Sequence, residues 1–411
     1  MSAILLRHRS SIRSKESWRR RVVRILQLCV RFPPAPGGAE THVYSISKEL
    51  IRRGHEVTVF TSDLYTETPF VRLNGSSSAV NGIPVRRFRA HSLGGEMHYV
   101  FMPSVVWESL REDVDIVHAH SYGYFHLNAA FLMKRLRGVP FVLTPHFHPE
   151  WSMWGGSGRR RLRRVYDRIL APLIFESADR IIGVSRAEMS LIDSGRLDER
   201  KMEIIPNGIS PEDFEPLPDE QLFRRRYGLT GQIVLFAGRL ATNKGLMTLV
   251  DSIPFVLQRL KNTAFVLVGQ DQGIKGELLK RARQLGVSDA LLFTGHIDDS
   301  RLFRSAFAAC DVFVLPSEYE AFGIVLLEAM MCEKPCIATA VGGTSEVVIA
   351  DETGILVEYG RPKDLAEAVV RVLSNPQEAR RLGRNGRERV LRRFTWEKIA
   401  ADIETVYEDL V

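Results

Sequence analysis

The sequence predicts an α/β protein made of two doubly wound parallel-sheet domains that face each other across a cleft. Strand-like and helix-like segments alternate along the chain in two separate runs, which a turn-rich segment joins. The 411 residues, 45% hydrophobic and 26% charged, suffice for two domains with full cores. Loops that carry glycine and charged residues follow several strands, and parallel sheets bind ligands at this edge.

The first domain is predicted over residues 22–207. Its first strand, 22–30, is followed by a turn rich in proline and glycine and then by a helix over 39–53, whose apolar residues recur at helical spacing until Gly54. Further apolar segments bounded by turn residues complete a parallel-sheet pattern. They cover residues 56–60, 115–118, 141–144 and 180–184.

The second domain is predicted over residues 208–394, and turn residues at 211–218 indicate a linker near its start. Helical segments alternate again with short apolar strands. The strands cover residues 232–237, 264–268, 290–293, 311–315, 335–338 and 354–357. The last helix, within 395–411, has an apolar face and could cross back onto the first domain.

The net charge of +7 is concentrated in two basic patches, the N-terminal tail 1–21 and the segment 159–164. Such patches indicate an anionic partner. No zinc-finger, RRM-like or helix-turn-helix signature accompanies them, so anionic lipid is a better candidate than nucleic acid. A solvated tail and an exposed basic helix face would explain the same charges without any partner.

The four cysteines lie on or beside apolar segments and lack the spacing of a disulfide framework or zinc site. We therefore expect them to be reduced and buried. No apolar run reaches the roughly 18 residues of a membrane span, and the N-terminus lacks a signal-peptide core. The sequence thus predicts a cytoplasmic protein, which its basic patches could attach to a membrane surface.

Two carboxylates eight residues apart, Glu320 and Glu328, flank an apolar turn after the predicted strand 311–315. A strand, a glycine-containing loop and an apolar helix in this order place the loop at the carboxyl edge of the sheet. Loop amides and a helix N-terminus favour anions, whereas acidic side chains bind hydroxyl groups. A sugar nucleotide offers both phosphate and hydroxyl groups.

Three more loops contain candidate residues. Gly38 lies between the first strand and its helix, where the missing Cβ lets backbone amides approach a phosphate. Arg239 and Lys244 follow the first strand of the second domain and could clamp a diphosphate, or could be solvated turn residues. His146 follows the strand 141–144 and could orient a hydroxyl group in the cleft, or could cap a loop.

Taken in this order, the motifs resemble the family 4 retaining glycosyltransferases, which have the GT-B fold of two Rossmann-like domains. The resemblance rests on Gly-Gly-Ala-Glu at 37–40, on Gly238-Arg239 with Lys244-Gly245, and on Glu320 with Glu328, and it covers the chain from about residue 24 onward. It implies an N-terminal domain on the acceptor side and a C-terminal domain that binds the nucleotide sugar. It also implies transfer of a hexosyl group with retention.

The resemblance implies roles for individual residues. Gly38 would close over the donor phosphates, while Arg239 and Lys244 would neutralise the departing diphosphate. Glu320 would hold the hydroxyl groups of the donor sugar as a catalytic residue. Glu328 would accept hydrogen bonds from the ribose hydroxyls.

Further roles follow from the same resemblance. The amides near Phe322, Gly323 and Ile324 would contact sugar and phosphate, and His146 matches the catalytic histidine of the family's cleft. At 269–273 the chain has Gly-Gln-Asp-Gln-Gly, where many relatives have a tighter glycine-rich turn. The choice of donor is therefore left open.

No metal and no cofactor beyond the nucleotide-sugar substrate is expected, because two cations and loop amides can stabilise the leaving diphosphate. No Asp-x-Asp pair follows a predicted strand. The acceptor would be a glycan, a lipid-linked group or a small molecule. Alternatives are a GT-B sugar-nucleotide epimerase or phosphorylase, or a non-catalytic protein that binds anionic lipid or nucleic acid. The non-catalytic alternative leaves Glu320 and Glu328 unexplained.

Overall fold

Two parallel sheets flanked by helices organise the chain. The computed structural model describes residues 21–67, 69–75, 78–92, 100–147, 157–192 and 198–411, and for 157–163 it describes the backbone alone. The predicted basic tail therefore lies outside the described residues except for Arg21, and so do most side chains of the basic patch at 159–164.

In the described residues twelve strands precede the second domain, and eight of them form one sheet. In chain order they are β1 (Arg24–Leu28), β2 (Glu56–Ser62), β3 (Leu64–Thr66), β4 (Val71–Arg72), β5 (Ala79–Val80), β6 (Ile83–Phe88), β7 (His91–Ser92), β8 (Val100–Phe101), β9 (Ile116–His120), β10 (Phe141–Thr144), β11 (Arg180–Gly183) and β12 (Met202–Ile204). The sheet order is β12-β11-β10-β9-β1-β2-β6-β5. Only the edge pair β5–β6 is antiparallel within this sheet.

Five helices accompany these strands in the described residues. They are α1 (Gly38–Arg52), α2 (Pro103–Ser109), α3 (Leu127–Arg137), α4 (Ser157–Ser177) and α5 (Arg186–Ile192). Helix α1 buries Val43, Ile46 and Leu50, which recur at helical spacing along one face. This face packs onto the sheet and brings the start of α1 to the end of β1.

The second domain has six strands and a sheet that is parallel throughout. The strands are β13 (Gln232–Ala237), β14 (Thr263–Val268), β15 (Leu291–Gly295), β16 (Val312–Leu315), β17 (Cys336–Thr339) and β18 (Gly354–Val357). Their order in the sheet is β15-β14-β13-β16-β17-β18. The central strands β13 and β16 are buried on both faces, which explains their continuous apolar sequences.

The remaining helices cover the second sheet, except for the last one. They are α6 (Glu220–Tyr227), α7 (Leu246–Leu257), α8 (Lys275–Gln284), α9 (Ser300–Ala309), α10 (Ile324–Met331), α11 (Thr344–Val347), α12 (Pro362–Ser374), α13 (Pro376–Arg393) and α14 (Trp396–Glu408). Helix α14 packs against α1 of the first domain. Its residues Ile399, Ile403 and Tyr407 share a core with Ile46 and Leu50.

Both sheets reverse their strand order next to the first strand of the domain, between β1 and β9 and between β13 and β16. Loops that leave the carboxyl ends of strands on either side of such a reversal diverge and open a crevice for ligands. The predicted fold class, two doubly wound sheets, is confirmed. The predictions missed β5, β6 and β12 of the first sheet and the short strands β3, β4, β7 and β8. They also ended one strand at residue 118, whereas β9 continues to His120.

The four cysteines are buried and unpaired, as expected. No helix in the described ranges is both long enough and apolar enough to cross a membrane.

Candidate active site

The N-terminal ends of two helices, one from each domain, lie beside each other. Helix α1 begins at Gly38 and helix α10 begins at Ile324. A Cβ atom on Gly38 would lie 3.7 Å from Cδ1 of Ile324, so the two helix starts almost touch across the cleft. Each N-terminus presents unsatisfied amide N–H groups and the positive end of a helix dipole. Together they form a suitable environment for an anion.

Glu320 lies in the loop between β16 and α10 and forms an ion pair with Lys244. Its Oε1 atom lies 2.5 Å from Lys244 Nζ and accepts a hydrogen bond from Ser317 Oγ at 2.8 Å. The two charged side chains are only 12% and 14% exposed. The sequence analysis had assigned Lys244 to a clamp with Arg239 and had not anticipated this pair.

Glycines in two neighbouring loops allow the close packing that positions Glu320. Gly245 has φ 65°, and a Cβ atom there would lie 1.8 Å from the carbonyl oxygen of Pro316. Gly342 has φ 53°, and its Cβ would lie 1.9 Å from the carbonyl oxygen of Glu320. The amide of Gly343 donates to that same oxygen at 2.8 Å. The sequence-based predictions did not include Gly342 and Gly343, although a glycine pair shortly after a strand is a signal for such close packing.

Glu328 lies one turn inside α10 and is partly buried. Burial raises the pKa of its carboxyl group to about 8, while Arg304 acts in the opposite direction. Within the described part of the chain no group donates a hydrogen bond to this carboxylate, which leaves its oxygens available for a ligand. The Phe322 ring is buried and packs edge-on against Phe394 at 5.6 Å, so this ring supports the loop from behind.

Arg239 is an exposed residue at the start of the loop after β13. Its charge reaches Glu40, a buried residue in the first turn of α1. Burial raises the pKa of Glu40, and the charges of Arg31 and, more weakly, Arg239 counteract that rise. Arg31 Nη2 lies 2.7 Å from Glu40 Oε1. The second-domain cation Arg239 therefore lies within electrostatic reach of the first helix.

His146 follows β10 at the opposite wall of the cleft, is half-buried and has φ 43°. The backbone amide and carbonyl groups of the next residue, Phe147, both form hydrogen bonds to side chains. Glu188 accepts a hydrogen bond from the Phe147 amide, and the Tyr319 hydroxyl donates to the Phe147 carbonyl oxygen at 3.3 Å. Because Tyr319 precedes Glu320, this contact between domains brings His146 and Glu320 to opposite sides of the same space.

Glu188 is fully buried on α5 and was missed by the sequence analysis. Its second oxygen accepts a hydrogen bond from the Val184 amide at 2.6 Å. Burial raises the pKa of Glu188 to about 7, and the amide hydrogen bonds partly offset this shift. The Glu188 amide in turn donates to Ser185 Oγ at 3.0 Å. The Ser-x-x-Glu pattern of a capping box was the signal for it.

Asp271 lies in the segment 269–273, where many relatives have a tighter glycine-rich turn, and its side chain contacts the start of the next helix. Its Oδ1 atom accepts hydrogen bonds from the amides of Gly273, Ile274 and Lys275 at 3.0–3.1 Å. These amides open α8, so the carboxylate caps that helix.

Two family descriptions match adjoining parts of the chain. "Glycosyltransferase Family 4" matches residues 36–213, and "Glycosyl transferases group 1" matches residues 219–389. The chain belongs to the family 4 glycosyltransferases. The predicted family is thereby confirmed, and the two matches cover the loops of both cleft walls.

Relatives of this glycosyltransferase match it over nearly the full chain. It is 27% identical to an uncharacterized glycosyltransferase of Methanocaldococcus jannaschii, over 94% of this chain and 98% of the relative. It is also 27% identical to the N-acetyl-alpha-D-glucosaminyl L-malate synthase of Bacillus anthracis, over 94% and 97%. The crystal structure of HepE from Anabaena with UDP and glucose superposes with a TM-score of 0.76 at 23% identity, over 94% and 100%. The fold is GT-B.

Proposed function

We propose that this glycosyltransferase moves a hexosyl group from a nucleotide-diphosphate sugar to an acceptor hydroxyl, with retention and without a metal ion. The acceptor would belong to a glycan, a lipid-linked group or a small molecule. The observation that carries the proposal is the Lys244–Glu320 ion pair, 2.5 Å long, in the loops beside the α10 N-terminus and opposite Gly38. It joins a cation for a diphosphate to a carboxylate for sugar hydroxyls.

The diphosphate would bind between the starts of α1 and α10. The amides of Gly323 and Ile324 and the dipole of α10 favour its negative charge. Lys244 has three N–H donors, so it can contact a phosphate oxygen while it keeps its bond to Glu320. Arg239 approaches the same region from the loop after β13. HepE, a relative in fold, binds UDP and glucose, and this agrees with a donor of the same class.

The two glutamates would recognise different parts of the donor. Glu320 accepts hydrogen bonds from Lys244 and Ser317 through Oε1, and its carboxylate would also accept a hydroxyl of the sugar. Glu328 lies deeper in α10 and would bind the ribose hydroxyls. His146, on the opposite wall, would orient a hydroxyl beside the anomeric carbon by a hydrogen bond.

The chemistry of transfer follows from the charges. The bond between the anomeric carbon and the diphosphate oxygen breaks, which leaves positive character on the sugar and negative charge on the diphosphate. The acceptor oxygen bonds to the anomeric carbon, and its proton passes to the departing diphosphate. Cations fixed in advance at the leaving group lower the barrier because they need no reorganisation during the reaction.

Thermal melting with UDP-, GDP- and ADP-sugars, followed by a transfer assay, tests this function. A true donor at 100 times its dissociation constant adds about 2.7 kcal/mol of stability. The anomeric proton of the product, observed by NMR, should retain the donor configuration. An inverted product contradicts the retaining mechanism, and a complete lack of stabilisation by every donor favours the non-catalytic alternative.

Metal independence has its own test, because Lys244 and Arg239 would supply the charge that a divalent cation supplies elsewhere. We expect that EDTA does not lower the initial rate of transfer. Loss of activity in EDTA that magnesium or manganese restores would contradict this part of the proposal.

We also propose that the first domain binds anionic membranes through one face of α4. Val165, Ile169, Leu170 and Leu173 form an apolar stripe there, each at least 41% exposed. The exposed Arg164 lies on the same helix, and the backbone of the basic segment 159–163 precedes it. A basic helix with an exposed apolar stripe is typical of a peripheral membrane anchor.

Helix α3 packs against α4, and α2 packs against α3; both carry an exposed apolar side chain. Trp107 on α2 and Leu136 on α3 are 67% and 68% exposed, and Arg135 and Arg137 flank Leu136. Each basic side chain near an anionic surface contributes about 1 kcal/mol to binding. A membrane-bound enzyme would encounter a lipid-linked acceptor directly, so this face favours that acceptor class.

Vesicle sedimentation tests the membrane proposal. We expect binding to vesicles that contain phosphatidylglycerol, weaker binding in high salt, and weaker binding of the Ile169→Ser/Leu173→Ser variant. Leu222→Ser, which changes an exposed leucine on α6 in the other domain, is the matched control. Equal binding to neutral and anionic vesicles at any salt concentration would reject the proposal.

A further inference from the structure

Three histidines from a helix, a strand and a loop of the first domain converge behind the cleft. His42 lies on α1, His120 ends β9 and His146 follows β10. One nitrogen of each residue lies within 4.8 Å of the corresponding nitrogens of the other two. His42 and His120 are fully buried, whereas His146 is half-buried on the cleft side.

Side-chain amides fix the protonation of the two buried rings. Asn207 Oδ1 lies 2.7 Å from His42 Nδ1, and Gln27 Oε1 lies 2.7 Å from His120 Nε2. Each carbonyl oxygen is an acceptor, so each of these ring nitrogens carries the proton. The opposite nitrogens, His42 Nε2 and His120 Nδ1, then carry lone pairs.

Those lone pairs lack a donor. His42 Nε2 and His120 Nδ1 are buried atoms without a hydrogen-bond partner anywhere in the described portion of the chain. Burial lowers the pKa of His42 to about 4 and holds the pKa of His120 well below its usual range, so both rings are neutral at pH 7. A buried acceptor without a donor is costly, and two such acceptors beside one another require an explanation.

The distances between the three imidazole rings are close to those between histidine ligands of one zinc ion. Ring centres are separated by 5.5 Å for His42 and His120, 4.8 Å for His42 and His146, and 5.8 Å for His120 and His146. Imidazoles bound to one tetrahedral zinc at 2.0–2.1 Å have ring centres about 5 Å apart. Small side-chain rotations would therefore bring three nitrogens onto one ion.

We propose that His42, His120 and His146 form a binding site for a zinc ion, with a fourth coordination position open toward the cleft. Neutral imidazole is a preferred ligand of zinc. The bonds from His42 to Asn207 and from His120 to Gln27 correspond to the outer hydrogen bonds that orient histidine ligands in zinc sites. Three histidines with one open position are also a ligand set that zinc adopts in proteins.

Zinc in this site would inhibit transfer. His146 cannot bind the metal and orient a donor hydroxyl with the same nitrogen. This consequence depends on the role of His146 in the proposed reaction, whereas metal binding itself does not. The two statements therefore have separate measurements.

Equilibrium dialysis of tag-free protein against Zn²⁺ measures the binding. We expect one tightly bound equivalent per chain and at least about tenfold weaker binding by His42→Gln and by His120→Gln. His55→Gln is the matched control, since His55 is a buried histidine of the same domain with hydrogen bonds at both ring nitrogens. Equal zinc affinity in the wild type and in both cluster variants would overturn the proposal.

A spectroscopic measurement on the wild type does not depend on how the variants fold. Co²⁺ in the site should give the intense visible absorption of a tetrahedral ion, and zinc X-ray absorption should show imidazole ligands. An octahedral Co²⁺ spectrum, or no bound metal, would overturn the proposal and indicate a water molecule between the rings. Inhibition of transfer by zinc, relieved in His42→Gln, then tests the consequence.

Discussion

The two domains offer equivalent loops at the carboxyl edges of similar sheets, but the chemistry of these loops differs. In the second domain the loops after β13 and β16 carry an ion pair, Lys244 with Glu320, and a further cation, Arg239. In the first domain the corresponding wall carries His146. His42 and His120 lie buried behind it with lowered pKa values, while Arg31 and Glu40 form an ion pair within the domain. The same architecture thus provides one wall lined by charged loops and one wall lined by a histidine.

The difference has a functional meaning. In the proposed reaction the charged wall would stabilise the diphosphate that leaves, whereas the histidine wall would bind hydroxyl groups without attracting the diphosphate away from its site. The comparison therefore predicts that changes in the second domain alter donor binding and the chemical step. Changes in the first domain should alter the rate of transfer and leave nucleotide affinity intact.

The largest effect is expected for Lys244→Met. This change removes the cation proposed to contact the leaving diphosphate and takes the Lys244 charge away from the poorly exposed Glu320, so kcat/KM should fall by roughly 10²–10³. Steady-state kinetics measures it. Lys363→Met, at an exposed lysine of α12, is the control, and a loss below about fivefold in Lys244→Met would argue against a charged wall.

Glu320→Gln should come next. The amide removes negative charge beside the centre where positive character develops. We therefore expect kcat to fall by roughly 10- to 150-fold, which corresponds to about 1.5–3 kcal/mol, and donor affinity to fall by less. Kinetics together with calorimetry on the free nucleoside diphosphate separates the two effects. The role of Glu320 is wrong if the variant no longer binds the nucleotide.

Glu328→Gln should weaken donor and free nucleoside diphosphate alike, and the effect should depend on pH. Burial raises the pKa of Glu328 to about 8, so the carboxylate proposed to accept the ribose hydroxyls becomes available only as the pH rises through 8. The ratio of variant to wild-type Kd should therefore grow between pH 6.5 and 9, approaching roughly 10- to 150-fold. Calorimetry across this range measures it, and a ratio of one at pH 9 would refute the assignment.

The raised pKa of Glu328 also affects stability. The unfolded chain ionises this carboxyl near its usual value, so the folded wild type loses stability as the pH rises from about 4.5 through 8. In thermal melting without ligand, the melting temperature of Glu328→Gln should increase relative to that of the wild type as the pH rises over that interval. This measurement serves as an internal check on the binding result.

The smallest effect is expected in the first domain, for Glu188→Gln. Glu188 holds the peptide after His146 through the Phe147 amide, and the variant can accept only one of its two amide hydrogen bonds. A loss of roughly 0.5–1.5 kcal/mol corresponds to at most about a tenfold lower kcat. Nucleotide affinity should not change. If Glu188→Gln instead lowers nucleotide affinity, the prediction that changes in the first domain leave this affinity intact is wrong.

Much of this architecture could be predicted from local sequence. The apolar strands 232–237 and 141–144 and the helix of Val43, Ile46 and Leu50 follow from periodicity and turn residues. The strand β6 could not, since its sequence Ile-Pro-Val-Arg-Arg-Phe contains a proline and two arginines. It joins the sheet because β2 offers an open edge, and this is a property of the fold.

Some residues of the candidate site could likewise be predicted from local sequence, and others could not. Glu320, Glu328, Arg239 and Lys244 follow strands within short motifs, so their sequence context predicts the edge of the sheet where they lie. The glycine pair at 342–343 and the capping motif at Ser185 had recognisable signals that went unused. His42 and His120 had none, because each is an ordinary residue within its own helix or strand.

The sequence by itself determined the order of the elements, the two domains and the loops that carry charge, since these depend on patterns within a few residues. The tertiary structure alone decided which side chains meet. Glu320 pairs with Lys244 across 76 positions of the chain, and His42 contacts Asn207 across 165. Such contacts arise when helices and strands pack, and the burial that neutralises His120 exists only once the sheet is formed.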